Sequence, residues 1–571
     1  MMQFIKTVAR HVIILILPCV GFSQSTFLPQ GSQYDHFLER LGIKLQTQPE
    51  LNIFTPKPLS RKMAVEVSEL ADSLSNSNPN NTDYHLGTTD QEMLHSLLMN
   101  NSEWVKGSQS SFQSKHPFLK TFYKTQANML EVNEKNFFLA VNPVLQEQQS
   151  HQTGNPEHVY LNTKGLTFRG RIADHLGFSS YITDNQERGP DYFTQRVTAS
   201  GYPAVPGVGY YKYFKGSLTA FDYFDARGSI VFDFWKYFSL QFGYDKNFIG
   251  DGYRSFFLSD YAAPYLFLKL NLRIWKLNYQ NILMELSSQH QPGDYLYPKK
   301  YAVIHHLSVN AAKWLNVGLY TNIAFSRADY FDFSYLNPVI FLTAAQQENG
   351  SPDKTTVGFD FKANLGHAAQ VYGQILFNEF VYQQIVHYSN GWWGNKQGLQ
   401  LGIKYIDLFH VKNLDIQAEM NVMRPYTYTH DDTVANWSNY NQPLAHPFGA
   451  NFIELIGILR YQPAYRWNIE LKAIYNRQGL DSAGVNFGSN ILLDYRTRPR
   501  DFGFSIGSGI PVTLINTAAY ISYQWKENLF LEGTVMYRSY TVHDPVATTK
   551  ISSTMVTFGL RVNMFRRMYD Y

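Results

Sequence analysis

The sequence predicts an all-β fold, a transmembrane antiparallel β-barrel of about 18 strands that carries a small α-helical N-terminal region. Three observations point there: an export-like N-terminus, long stretches whose apolar residues recur at every second position, and a strict alternation of short and long connections.

At the N-terminus, Lys6 and Arg10 precede a short apolar run from Val12 to Val20, and Gly21-Phe22-Ser23 places small residues at the −3 and −1 positions of a cleavage site. Residues 1–24 therefore read as a signal peptide. The run is shorter than the ~18 residues a spanning helix needs. Cys19, the single cysteine, follows Pro18 and not the small residue that lipidation prefers. Without it the chain forms no disulfide and no thiolate metal site.

Residues 25–130 show helical periodicity. Met63, Val67, Leu70 and Leu74 share one face behind Ser60 as N-cap, and Thr89-Asp90-Gln91-Glu92 has the form of a capping box before Met93, Leu94, Leu97 and Leu98. Asn76–Asp83 reads as a loop between them. The expectation is a small periplasmic element resting on the barrel base.

From 131 to 571 the period is two. Leu266, Leu268, Leu270, Leu272 and Ile274 alternate with Phe267, Lys269, Asn271 and Arg273. Val357, Phe359, Phe361, Ala363 and Leu365 alternate with residues that include Asp360 and Lys362. Leu414, Ile416, Ala418, Met420 and Val422 enclose Asp415 and Glu419, and Val556 to Met564 enclose Arg561. One face is apolar, and the other gives a mixed-charge lumen lining of Lys269, Arg273, Asp360, Lys362, Asp415, Glu419 and Arg561. A soluble sandwich has the same period. Connection lengths separate the two, because tight turns near Ala173, Trp235, Trp275, Lys313, Gly366, Phe409, Pro463 and Trp525 alternate with longer segments. Those are 144–155, 184–224, 247–261, 286–299, 326–353, 382–396, 424–450, 477–513 and 540–552. Short turns on one side and long loops on the other are the habit of outer-membrane barrels. Trp235-Lys236, Trp275-Lys276, Lys313-Trp314, Arg466-Trp467 and Trp525-Lys526 put an aromatic beside a cation at one class of turn, as an interfacial girdle requires. A mean hydropathy of −0.29 fits, since only alternate residues meet lipid.

A set of motifs runs in order along the chain: Leu59-Ser60-Arg61-Lys62, Leu97 to Trp104, Gly293 to Tyr301, Ser334 to Val339, Gly391-Trp392-Trp393-Gly394-Asn395-Lys396, Met423 to Tyr428, and Asn441 to Pro447. Together they resemble the Wzi-like capsule-assembly family, in its Bacteroidetes gliding-motility RemB-like branch. The resemblance implies an 18-stranded outer-membrane barrel with periplasmic N-terminal helices, an outer-surface lectin that retains extracellular polysaccharide, and a link to surface movement. Segment 184–224 matches none of these motifs.

A saccharide site needs flat aromatic faces and fixed polar groups. The outer loops supply Trp392, Trp393 and Asn395, and then Arg424, Tyr426, Tyr428, Asp431, Trp437 and Tyr440, with His430, Asp432 and Asn441 nearby. These are the candidate polysaccharide-binding residues. Against that stand an aromatic girdle for Trp392 and Trp393 and an ordered plug for 424–450. His430-Asp431-Asp432 reads as a solvated loop and not a metal cluster. His305 and His306 alternate in a strand, so they point to opposite faces and share no ligand. Neither a Gly-x-Ser-x-Gly elbow nor a His-Glu-x-x-His helix is present, so the sequence points to no enzyme, no cofactor and no metal. A net charge of +3 gives no basic excess for nucleic acid. The expected partners are outer-membrane lipid, extracellular or capsular polysaccharide, and periplasmic or surface assembly proteins. The alternative is an outer-membrane transport pore or diffusion channel, which loops or helices folded into the lumen would weaken.

Overall fold

Alternation of apolar and polar side chains gives each strand two unlike faces, and closing the sheet leaves no edge to satisfy in lipid. The computed structural model describes residues 25–46, 56–77, 84–173, 175–198, 204–234, 237–288, 298–327, 331–350, 353–379, 383–384, 390–482 and 484–571. The signal-peptide reading, most of Asn76–Asp83 and the Trp235-Lys236 pair lie outside the described residues.

Eighteen antiparallel strands close a barrel. In chain order they are β1 (Phe137–Gln152), β2 (Val159–Ile172), β3 (Leu176–Arg188), β4 (Phe221–Phe234), β5 (Phe238–Asp245) and β6 (Tyr265–Ile274). Next come β7 (Leu277–Ser287), β8 (Lys299–Ala312), β9 (Leu315–Phe325), β10 (Lys354–Leu365), β11 (Ala369–Glu379) and β12 (Lys396–Tyr405). The series ends with β13 (Leu414–Met423), β14 (Phe452–Tyr461), β15 (Trp467–Leu480), β16 (Ile510–Lys526), β17 (Leu529–His543) and β18 (Thr548–Val562). Each strand pairs with the next, and β18 closes on β1 with Val562 opposite Leu145 and Met555 opposite Gln152.

The expected long segments 144–155 and 540–552 prove shorter. Strand β1 runs on to Gln152 and β17 to His543. The glutamines that read as loop residues alternate, and Gln146, Gln148 and Gln152 are buried on the inner face. Polar composition marked the lumen there, not a turn.

The outer wall is apolar, with Phe359, Leu399, Leu401, Leu471, Ile521 and Phe558 among its exposed side chains. At the short-turn end Trp275, Trp314, Trp467 and Trp525 stand exposed, and Lys276 lies 5.5 Å from the Trp275 ring. A belt of this kind bordered by aromatics matches a bilayer interface.

Three helices close the short-turn end: α1 (Gln33–Lys44), α2 (Arg61–Ser77) and α3 (Thr88–Met99). Ser60 caps α2 by accepting the Met63 N–H at 3.1 Å. The α3 cap lies two residues ahead of the expected one, with Asp90 accepting the Gly87 N–H at 3.2 Å. Together the helices share a core of Phe37, Leu38, Leu41, Val65, Leu94 and Leu97. Polar bonds fix them to the turns. Asp407 and Asn413 accept from Arg40 at 3.0 and 2.9 Å, and Glu527 accepts from Ser96 and Asn100 at 2.6 and 2.7 Å.

Candidate functional site: a loop platform over a filled lumen

Four segments enter the lumen. The loop between β5 and β6 is held against the inner wall. Glu419 accepts the N–H groups of Tyr253 and Arg254 at 2.6 and 3.1 Å, and Gln374 accepts that of Phe256 at 2.8 Å. Phe257 stacks on Tyr320 at 4.2 Å, in space that Gly358 leaves open: a Cβ there would sit 2.3 Å from the Phe257 ring. The second segment follows β18. Arg566 meets Glu470 at 2.5 Å, Arg567 meets Glu187 at 3.1 Å, and Asp570 meets Lys472 at 2.6 Å. Between these two, the unmatched stretch after β3 forms helix α4 (Asp191–Thr198), whose Phe193 packs edge-on to Phe221 and Tyr569.

The loop between β13 and β14 is the fourth. Tyr428 donates to the Phe256 carbonyl at 2.6 Å, and the Trp437 indole donates to that of Phe257 at 3.0 Å. Lys300 and Lys354, buried on the inner wall, hold this loop through Asn436 and Thr429 carbonyls at 2.9 and 2.7 Å. Burial leaves the His430 imidazole below its ordinary pKa, and therefore neutral near pH 7. The ordered-plug alternative describes most of this loop.

Each residue of the expected lumen lining faces inward and has a partner there. Lys269 donates to Asn247 at 2.9 Å, Lys362 pairs with Asp251 at 3.1 Å, and Asp415 takes Arg40 and His36. Asp360 pairs with His306 at 2.7 Å, Arg561 with Glu532 at 2.6 Å, and Arg273 reaches Met63 at 3.5 Å. Most of these charges anchor inserted chain.

Of the expected saccharide residues, Tyr426, Tyr428, Trp437 and Asn395 are buried. Tyr426 donates to the Asn486 carbonyl at 2.7 Å, and Asn395 to that of Gln384 at 3.1 Å. Tyr440 is partly buried in the left-handed region, its N–H bonded to the Ser287 carbonyl at 3.2 Å. Arg424 donates to the carbonyls of Asn395 and Trp392 at 2.7 and 3.2 Å, which holds the Trp392–Trp393 turn. Trp392, Trp393 and Asp431 remain partly open to solvent.

Around them gathers the loop between β15 and β16, from which the sequence singled out no residue. The Trp393 N–H bonds the Asp501 carbonyl at 3.0 Å, and Phe504 N–H that of Gly391 at 2.9 Å. Tyr495 lies 4.8 Å from Trp393 between ring centroids, and the Arg498 guanidinium covers the same indole at 4.1 Å. Arg496, its side chain 64% exposed, pairs with Asp494 at 2.8 Å. Burial and the neighbouring Asp431 and Glu379 push the Tyr495 hydroxyl up to about 12, so it stays a neutral donor. The run Tyr495-Arg496-Thr497-Arg498-Pro499-Arg500-Asp501 was the available signal, three arginines and an aromatic in a proline-containing loop. No group of side chains suited to a metal occurs among the described residues.

A closed 18-stranded barrel with this outer belt is an outer-membrane architecture, and the protein resides in that membrane. Its fold is similar to that of Wzi. That protein is described as an outer membrane protein involved in group 1 capsule assembly in Escherichia coli and a carbohydrate binding β-barrel. The similarity has a TM-score of 0.53 at 13% identity over 91% of this chain and 97% of the other. OprD of Pseudomonas aeruginosa is similar at a TM-score of 0.39 and 8% identity, over 74% of this chain and 95% of its own. No family model and no curated protein matches the sequence.

Proposed function

We propose that this protein binds a surface or capsular polysaccharide at its long-loop end and helps attach or assemble it at the cell surface. The observation that carries the reading is the convergence of three loops on Trp392, Trp393, Tyr495, Arg496, Arg498 and Asp431, partly open to solvent above a filled lumen. Indole and phenol faces suit sugar C–H groups. Guanidinium and carboxylate groups beside them suit hydroxyls and acidic substituents. The role is binding without turnover. Cleavage of residues 1–24 as a signal, a periplasmic setting for the helices of residues 25–130, and recruitment of assembly proteins there belong to the same proposal. Membership of the RemB-like branch, with its link to gliding, rests on the sequence motifs and on this proposal alone.

A transport pore needs a continuous passage. The Glu419–Arg254, Lys362–Asp251 and Lys472–Asp570 contacts put inserted chain against the inner wall, which favours the binding role. The test is titration of detergent-folded protein with the source cell's own surface polysaccharide, followed by tryptophan fluorescence. Trp393→Ala should weaken binding about tenfold, since a stacked aromatic is worth roughly 1–3 kcal/mol by analogy with base stacking. Arg496→Ala, at an exposed side chain, should weaken binding without disturbing the fold. Equal affinity in wild type and both variants, or no binding at all, would overturn the proposal.

A further inference from the structure

One long connection does not stay at the loop end. In the connection between β9 and β10, residues 331–350 lie against the outward faces of β7, β8 and β9. Tyr335, Leu342 and Ala345 pack on Val303, Ile323 and Phe325, all outward-facing wall residues. Further down, the Tyr279 hydroxyl donates to the Pro338 carbonyl, and Tyr279 is the third residue of β7 counted from the Trp275–Lys276 turn. Trp275 belongs to the exposed aromatic girdle, 80% exposed. The segment therefore runs from the top of the wall almost to its lower border, through the height where the other strands offer apolar side chains.

Beneath it lies a polar row that has no place on a lipid-facing wall. Asn281, His305 and Thr321 are direct cross-strand neighbours, all outward-facing and all buried. The His305 imidazole lies close under the Ile340 backbone. The segment satisfies more of its backbone internally: Asn337 accepts the Val339 N–H at 3.0 Å, and helix α5 (Leu342–Glu348) bonds its own turns. Phe333, Leu336, Val339 and Phe341 of the segment are exposed apolar groups, as are Leu307 and Val317 on the outward faces of β8 and β9.

We propose that residues 331–350 form a membrane-inserted flap, whose outer side contacts lipid acyl chains. The two anomalies account for each other. Irregular backbone at bilayer depth needs protein partners, which Tyr279 provides at Pro338 and the segment's own turns provide elsewhere. Outward polar side chains need cover, which the flap provides. Acyl chains are the occupant because the exposed side of the flap continues the apolar belt around it.

Two valines make the test. Val339 on the flap is 90% exposed, and Val546 in the loop between β17 and β18 is 94% exposed, so local burial does not separate them. Val339→Cys and Val546→Cys are made in a Cys19→Ser background, labelled with a small fluorophore, and reconstituted into phosphatidylcholine vesicles. Quenching by mid-chain brominated phosphatidylcholine is compared with quenching by aqueous iodide. The flap predicts bromolipid quenching severalfold stronger at 339 than at 546, and iodide quenching severalfold weaker. Iodide reaching both labels equally would place the segment in water and overturn the proposal. A label at 339 shielded from both quenchers would show a protein neighbour in place of lipid and overturn it as well.

Discussion

The two ends of the barrel are closed by different means. At the short-turn end, a helical segment separate from the strands docks onto the turns through charged and amide groups. Arg40 serves Asp407, Asn413 and Asp415 at once. At the long-loop end several of the connections themselves fold inward, held by aromatic stacking and by hydroxyl, indole and ammonium groups on backbone carbonyls. Tyr428 and Tyr426 adopt left-handed backbone there, with φ of 69° and 63°. Bulky residues hold that conformation only where their surroundings fix it. One closure is a separate body that charge changes could release. The other is part of the wall, and only repacking would open it.

Arg40→Met should break this contrast most strongly. It strips Asp415 and Asp407 of their shared buried cation, a class of change that costs about 3–5 kcal/mol. Limited proteolysis should then cut residues 25–130, while the strands keep the heat-modifiable mobility of a folded barrel and the platform binds as before. Loss of the whole barrel would show that the two ends are not independent. Next comes Gly358→Ala, whose new Cβ meets the Phe257 ring. Overpacking of this kind costs roughly 1–3 kcal/mol. Its effect should appear at the loop end, as faster proteolysis between β5 and β6, with the helices still protected.

The smallest effect expected is Asp35→Asn. Burial pushes the Asp35 carboxyl, at the start of α1, up to about 6 from an ordinary 3.8. The folded state therefore holds this proton more tightly than the unfolded one, and the stability it lends is present in acid and lost as pH rises through 6. Asparagine removes that penalty while its oxygen still accepts the Gly31 N–H, which Asp35 takes at 2.8 Å. The thermal midpoint of the variant should match wild type near pH 4 and exceed it at pH 7 and above. A constant difference across that range would remove Asp35 from the account.

The same contrast explains what the sequence disclosed. Period-two alternation and turn spacing announce the barrel because lipid and lumen impose opposite chemistry on adjacent residues. The tryptophans at the turns, and Ser60 before α2, carry local rules that hold wherever they occur. Helix α1 was not among the helices expected from the sequence, although Tyr34, Phe37, Leu38 and Leu41 recur at helical spacing, and Arg40 gains its role only from turns nearly four hundred residues away. The inward course of the loops depends on such distant partners throughout. Trp437 looks like a sugar platform in sequence and is a buried donor to Phe257 in the fold. The Tyr495–Asp501 run was visible as composition but had no neighbours until Trp393 joined it.

The most direct test of a barrel that works at its surface and not as a passage is ion conductance across a planar bilayer with the purified, folded protein. The filled lumen predicts no steady conductance for wild type, with brief events more frequent in Gly358→Ala. A stable open channel in wild type would contradict the account and return the charged inner face to a transport role.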